Sequence, residues 1–310
     1  MTDKINGLTN SDFKILDIVA SLPNLPKGAF NVRKNGEAAA RSVTENIDIS
    51  NKADGTGIDI RIKAGTVDEN VYIPVLLTES GLDETVANDF YVGENAKVTI
   101  VAGCGIHNGG SCGSSHNGVH TFKVGKGAVV KYVEKHYGEG TGDRVMNPST
   151  VIVLEEGAVF ELEAVQIEGI TSANRNTTAY LAKDAKLTIS ERLVTSEEQN
   201  VNSNVDVYLN GDGSKLQVVS RSIAKDNSVQ VFHPKAIGNS ACFAHIQCDS
   251  IIMDKASVSS VPEICANCAD AEIIHEAAIG RINNEQLLKL QTLGLTAEEA
   301  EKVILEGFLS

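Results

Sequence analysis

From about residue 36 to residue 280, apolar and polar side chains alternate with a period of two along short runs, which are broken by turns rich in Gly, Asp and Asn. Such alternation predicts strands that bury one face. Two stretches depart from it. At the amino-terminal side, NSDFKILDIVASL (10–22) places Phe13, Ile15, Leu16, Val19, Ala20 and Leu22 at spacings of three and four. Asn10 or Ser11 can cap this helix and Pro23 stops it, after which Pro23, Pro26 and Gly28 read as a linker. At the other end, INNEQLLKLQTLGL (282–295) has Asn283 or Asn284 as a cap and Gly294 as a terminator. TAEEAEKVILEGFL (296–309) then opens with Thr296 and Glu299 in capping-box spacing and closes at Gly307. The expected organisation is an N-terminal helix and linker over 1–35, a β core over 36–280 and a helical hairpin over 281–310.

An internal repeat narrows the β core further. VGENAKVTI (92–100), VGKGAVVKY (124–132), LEEGAVFEL (154–162), LAKDAKLTI (181–189) and LNGDGSKLQV (209–218) share an apolar residue, a polar turn and an alternating strand. Aligned on Ala96, Ala128, Ala158, Ala185 and Ser214, they recur at nearly constant separations. A period of roughly 30 residues with no helix between strands predicts stacked coils whose strands add to continuous sheets. Val, Ile, Leu, Ala and Thr suit the narrow interior of such a parallel β-helix. A sandwich or barrel of hairpins also has short, regular strands, but the tight turns it needs are sparse, being seen chiefly around Asn210–Gly213. The helical hairpin would then cap the last coil, or dock a partner through leftover apolar positions such as Phe308 and Leu309.

Composition supports this picture and excludes several functions. The chain has 310 residues, 42% of them hydrophobic, with 8 Phe, 6 Tyr and no Trp, which is ample for a core and excludes a disordered chain. With 27 Lys+Arg against 41 Asp+Glu, the net charge of −14 would repel a phosphate backbone, so nucleic acid is not an expected partner. No apolar run approaches the length of a membrane span, and the opening MTDKINGLTNSDFK lacks the basic and apolar segments of a secretory leader. A cytoplasmic location is therefore expected, where Cys104, Cys112, Cys242, Cys248, Cys265 and Cys268 would be thiols, metal ligands or redox groups rather than a disulfide framework.

Candidate chemistry concentrates in two segments. AHIQCDSIIMDKASVSSVPEICANCADAEIIHEAAIG (244–280) gathers His245, Cys248, Cys265, Cys268, His275 and Glu276. Thiolate, imidazole and carboxylate together suit iron–sulfur clusters, zinc or copper. The step along the chain from Cys248 to His275 and Glu276 is close to one coil, so stacking would bring them side by side. Cys265 and Cys268 form a single C-x-x-C, a metal or redox pair that would need further ligands, and each cysteine alone also reads as ordinary packing. His275-Glu276-Ala277-Ala278-Ile279 has Ile279 where a zinc-protease helix carries its second histidine, which excludes that enzyme class. The second segment, GCGIHNGGSCGSSHNGVHTF (103–122), holds Cys104, His107, Cys112, His116 and His120. It reads as a glycine-rich loop or corner between coils; with Glu134 and His136 it is also similar to the histidine-rich metal site of cupins, although their His-x-His is absent. No phosphate-binding glycine loop and no Gly-x-Ser-x-Gly elbow occurs, so ATP dependence would come from another protein, and a hydrolase would have no nucleophile. The carboxylates read as an acidic, solubilising surface.

The carboxyl-terminal third resembles the SufB/SufD proteins of the SUF iron–sulfur cluster assembly machinery, in the short form of minimal systems. The resemblance rests on His245-x-x-Cys248-Asp249-x-Ile251, on Val261-Pro262-Glu263-Ile264 through Ala271, on His275-Glu276-Ala277 with Gly280, and on Gly294-Leu295, Glu299-Ala300 and Gly307-Phe308. GCGIH (103–107), EKHYG (134–138) and SRSIAKDNS (220–228) extend it to roughly residues 90–310. The resemblance implies a right-handed parallel β-helix with helical ends. It also implies a dimer with an identical chain or a homologue, an ABC-type, SufC-like ATPase on the C-terminal helices, and a sulfur donor and apo-protein acceptors. It implies Cys248 and Glu276, with His275, as groups that hold a transient iron–sulfur cluster, with Cys265 and Cys268 as further candidate metal ligands. The expected protein is an assembly scaffold rather than an enzyme. Alternatives are a metal-dependent, cupin-like or β-helix enzyme using the His and Cys side chains between Cys104 and His136, or a structural, SufD-like partner subunit.

Overall fold

A computed structural model of the chain describes residues 7–310; residues 1–6, part of the opening segment read above for a leader, lie outside the described residues. The chain winds into a β-solenoid with two walls. One is a ten-stranded sheet that runs, after an initial hairpin, through strands 67–77, 97–108, 129–140, 159–168, 186–195, 215–224, 243–252 and 272–280. The other is an eleven-stranded sheet whose strands, among them 83–92, 114–124, 172–181, 200–209 and 229–238, alternate with the first set along the chain. Each coil contributes one strand to each wall, and successive coils pair in parallel. This is the parallel β-helix rather than the sandwich.

The repeat read from the sequence sets the register. Lys97, Val129, Val159, Lys186 and Lys215, each following an aligned turn residue, are Cα partners across neighbouring strands. The preceding Ala96, Ala128, Ala158, Ala185 and Ser214 are fully buried at the corner. One residue earlier, Asn95, Gly127, Gly157, Asp184 and Gly213 all have positive φ. The left-handed corner therefore explains why Gly, Asn and Asp recur there.

The interior differs from the expected aliphatic filling. Phe90 and Phe122 stack across coils with centroids 4.2 Å apart, and Tyr132 and Phe160 pack against Phe122. Aromatic rings fit because identical positions on successive coils lie one strand spacing apart and can stack face to face.

The first strand, Ala29–Lys34, begins inside the stretch expected to be linker, and pairs antiparallel with Glu37–Ser42. A second antiparallel pair, Ile47–Asn51 with Gly57–Ile62, starts the other wall, so hairpins close the amino-terminal end of the solenoid. Helix α1 (Asn10–Ala20) is capped by Thr9, one residue before the expected caps, because Thr9 and Asp12 form a reciprocal capping box. It lies on the outer face of the first sheet, over Gly103 and Gly105. A Cβ on Gly103 would overlap the Val19 carbonyl, and one on Gly105 would overlap the Ile15 side chain. The glycine-rich 103–122 segment is thus not a loop: most of it forms strands 97–108 and 114–124, and its first two glycines let a helix approach.

At the far end, α2 (Asn284–Thr292) starts at Asn283 and α3 (Ala297–Leu309) at the Thr296–Glu299 capping box, as expected; α3 continues through Gly307 to Leu309. The hairpin packs through α3 against the outer face of strand 215–224, where Arg221 bonds the Ser310 carbonyl. It does not cover strand 272–280, which ends its sheet with most of its residues exposed. No helix among the described residues is long and apolar enough to cross a membrane.

Candidate functional site

Six residues beyond each buried corner residue, the chain points inward at one level of the solenoid. Ala102, Glu134, Ala164, Glu191, Ser220 and Cys248 are successive Cα partners along the first sheet, and Ala277 closes the column. Three of its carboxyl or thiol groups are therefore buried, contrary to the expectation that the acids serve the surface.

Side chains of the facing wall satisfy them. Arg175 places Nη2 3.2 Å from Glu134 Oε2, Nη1 3.1 Å from His136 Nδ1 and Nε 3.5 Å from Glu191 Oε1. Glu191 accepts hydrogen bonds from Ser203 (2.8 Å) and Ser220 (3.0 Å). At the amino-terminal side, Glu84 accepts from Arg33 (2.8 Å) and lies 3.1 Å from His116 Nδ1. A polar file thus runs down the interior and stops at Cys248.

The expected histidines of the second segment belong to this file, except His107, which lies outside against Glu139 at 2.7 Å. Cys104, His116, His120, Glu134 and His136 line an internal cavity of about 20 Å³, room for roughly one water. His120 Nδ1 lies 2.6 Å from the Tyr132 hydroxyl, which donates to Glu134 at 3.3 Å. Burial pulls the His120 pKa down to about 4 against the opposing Glu134 charge, so the imidazole is neutral. Burial would raise the Glu134 carboxyl, but His136 and Arg175 outweigh it and hold it far below its usual value. The Cys104 thiol is pushed well up by burial and by the Glu84 and Glu134 charges, so it stays protonated. Cys112 is exposed in the turn between the two strands. Among the described residues, no three His, Cys, Asp or Glu side chains converge as metal ligands, which gives the cupin-like reading no support.

Cys248 is 2% exposed. Burial raises its pKa, with the Glu191 and Asp249 charges adding to the rise and the hydroxyls of Ser260 and Ser250 opposing it. His275 pairs with Ile246, which puts it on the same inward face as Cys248, near the open end of the sheet. Its Nε2 is buried without a hydrogen-bond partner, and desolvation lowers its pKa. A neutral imidazole with a free nitrogen is the ligand form.

Glu276 takes the other face. Its Cα partner is Gln247, one residue before Cys248, so the pleat directs it outward. There its Oε1 lies 2.5 Å from Nε2 of His245, whose Nδ1 is 3.0 Å from Gln217 Nε2. The imidazole beside Glu276 is therefore His245. The register could have shown this, since the coil here runs from Phe243 to Glu272, one residue longer than the step from Cys248 to Glu276.

Cys265 and Cys268 lie elsewhere, both partly exposed. Cys265 is on strand 263–266 of the second sheet, paired with Ile237, and Cys268 follows in the turn. The structure does not join them to the Cys248 column.

Comparison with known proteins finds relatives over most of this chain. The family model for the SufBD core domain of SUF-system FeS cluster assembly matches residues 84–308. An iron–sulfur cluster assembly SufBD family protein of Methanocaldococcus jannaschii is 29% identical over 235 residues, covering 75% of this chain and 74% of that protein. A SufBD family protein of Archaeoglobus fulgidus is 28% identical over 73% of this chain and 60% of its own length. One from Methanothermobacter thermautotrophicus is 28% identical over 73% and 55%. The chain thus spans little more than half the length of some relatives it matches. With a matched core that takes in the inward column, the last strand pair and both C-terminal helices, the chain belongs to the SufBD family of iron–sulfur cluster assembly proteins.

Proposed function

We propose that this chain is a scaffold subunit on which an iron–sulfur cluster is built as cargo, not kept as a resident cofactor. The supporting observation is that a buried thiol, Cys248, and an unpartnered imidazole, His275, share the inward face of the last two strands, His275 standing two residues before Ala277, the Cα partner of Cys248. A thiol held protonated by burial becomes a thiolate when iron binds, and the proton leaves; binding is therefore coupled to proton release and weakens as pH falls. One thiolate with nitrogen and oxygen ligands binds a cluster less firmly than four thiolates would, which suits transfer to acceptor proteins. Glu276, which faces outward on strand 272–280, is the oxygen ligand of this reading for iron on the outer face, not for the atom that Cys248 holds. Cys265 and Cys268, if they take metal, do so as a separate pair.

The uncovered terminal strand favours a second copy or a homologue as the partner that completes the site. The C-terminal hairpin favours an ABC-type, SufC-like ATPase. No residue of α2 is buried, Leu288 and Leu293 are exposed, and a groove of about 420 Å³ runs between α3 and the solenoid, lined by Val194, Ile223, Leu305 and Leu309. ATP hydrolysis would belong to that partner, since this chain carries no phosphate-binding loop, and sulfur would come from a separate donor. Anaerobic reconstitution with ferrous iron and sulfide, followed by visible absorption, tests the reading. Cys248→Ser is expected to lose the cluster absorption while Cys104→Ser keeps it; equal uptake by Cys248→Ser and the parent would overturn the assignment.

A further inference from the structure

Sequence groups His245 with the other candidate ligands, but neither its pairing nor its face is evident there. In the structure it sits on the outer face of the first sheet with its imidazole held at both nitrogens. Nε2 lies 2.5 Å from Glu276 Oε1, and Nδ1 lies within reach of both ends of the Gln217 amide, 3.0 Å from Nε2 and 3.3 Å from Oε1. Beside it on the same strand, the Gln247 amide donates to Asp249 at 2.7 Å. The site is open on the solvent side, the Glu276 side chain being 63% exposed and that of His245 22%.

We propose that His245 and Glu276 form a ferrous-iron-holding pair on the outer face, distinct from the inward Cys248–His275 pair. This deepens the scaffold reading above and rests on it for Glu276. An imidazole nitrogen and a carboxylate oxygen already in contact need only a small separation to become neighbouring ligands of one divalent ion, with water filling the remaining positions. Binding requires the Nε2 lone pair, so the ring proton must sit on Nδ1. The Gln217 amide supports that tautomer through Oε1, as it supports the opposite one through Nε2. Gln217 thus holds the His245 ring in place, as an outer partner does for a metal-bound histidine, and can accept from Nδ1–H once Nε2 is a ligand. The proton between His245 and Glu276 moves to bulk water or to Nδ1 as iron enters; no electron is transferred. Two protein ligands give loose binding, which fits iron held briefly on the way to a cluster. The pleat gives iron and thiol separate positions on opposite faces of adjoining strands.

The test uses the whole chain loaded anaerobically with one equivalent of ferrous iron, without sulfide, and converted to its nitric oxide adduct. Pulsed electron paramagnetic resonance is expected to show an imidazole nitrogen coupled to the iron. The coupling should vanish in His245→Gln and persist in His275→Gln, and the apparent iron affinity should fall about tenfold or more in both His245→Gln and Glu276→Gln. Gln217→Leu, which keeps both ligands, should weaken binding less and broaden the signal. Coupling that survives His245→Gln and is lost in His275→Gln overturns the proposal, as does a parent chain that holds no iron. Cluster reconstitution in the same variants and in Cys248→Ser separates the two readings. Dependence on Cys248 and Glu276 but not on His245 would sink the outer pair and leave the scaffold standing. Independence from Cys248 and Glu276 would remove the scaffold assignment itself.

Discussion

Arg175 and Glu134 meet across the hollow of the solenoid, one from each wall, with Nη2 3.2 Å from Oε2 and both side chains almost entirely buried. The same guanidinium reaches Glu191, so one permanent cation serves two buried acids. Arg175→Met keeps much of the packing volume but leaves both carboxylates without their shared cation. The expected loss is about 3–5 kcal/mol of unfolding free energy, typical of a buried ion pair broken on one side. Urea denaturation measures it. Adding Glu134→Gln to Arg175→Met should restore part of the loss, whereas purely additive effects would show that the two side chains do not interact.

The interior histidines make the fold acid-sensitive. Burial depresses the His120 pKa from 6.5 to about 4, so between those values the unfolded chain binds a proton that the folded chain refuses. Stability from this residue is therefore complete above pH 6.5 and falls as pH drops toward 4, by on the order of 3 kcal/mol. Glu134, whose pKa is also lowered, adds stability that is present above its ordinary value of 4.5 and is lost as pH falls below it. His120→Phe should flatten the stability profile between pH 6.5 and 4 while leaving the loss at lower pH. Unfolding free energies measured across that range decide the point; an unchanged slope in the variant would assign the acid limb to other groups.

The architecture was largely legible before any coordinates, and the site only in part. Ala96, Ala128, Ala158, Ala185 and Ser214 recur at coil length because each occupies the same buried corner, so their alignment reproduces the strand register. Extending that alignment by six residues leads from Ala128 to Glu134, from Ala185 to Glu191 and from Ser214 to Ser220, all facing inward with Cys248. Alternation alone hid these acids. Around Glu134 the outward positions Val133 and Tyr137 are apolar as well, and only the opposite wall supplies Arg175. The placement of Glu276 turns on a single residue of coil length. In a strand that step exchanges the faces, so a separation of about one coil shows adjacency but cannot show on which side the group points.

Thiol reactivity should follow burial and not position in the sequence. Cys112 is exposed, Cys265 and Cys268 are partly exposed, and Cys104, Cys242 and Cys248 are buried with raised pKa values. Brief treatment of the reduced, folded chain with iodoacetamide at neutral pH should modify Cys112 first and Cys265 and Cys268 next. Cys104 and Cys248 should react only after denaturation. Peptide mass spectrometry reads the order. Rapid labelling of Cys248 in the isolated chain would mean that the last strands open without a partner.

The seat of α1 supplies a test in which two neighbouring glycines behave differently. A Cβ on Gly105 would run into Cγ2 of Ile15, a side-chain methyl, whereas a Cβ on Gly103 would run into the Val19 backbone carbonyl, which cannot yield unless the helix lifts. Each substitution is therefore expected to cost about 1–3 kcal/mol or more, but only the loss in Gly105→Ala should depend on the Ile15 side chain. Ile15→Ala removes the atoms that Gly105→Ala meets, so that double variant should be more stable than the sum of its single effects predicts. It removes nothing that Gly103→Ala meets, so that combination should be additive or worse. Thermal and urea unfolding of the five variants distinguish these outcomes, because coupling energies are compared rather than absolute losses. Equal coupling of Ile15→Ala to both glycines would mean that the helix slides along the sheet as a unit, and that its fit depends on apolar contact rather than on close approach of backbone to backbone.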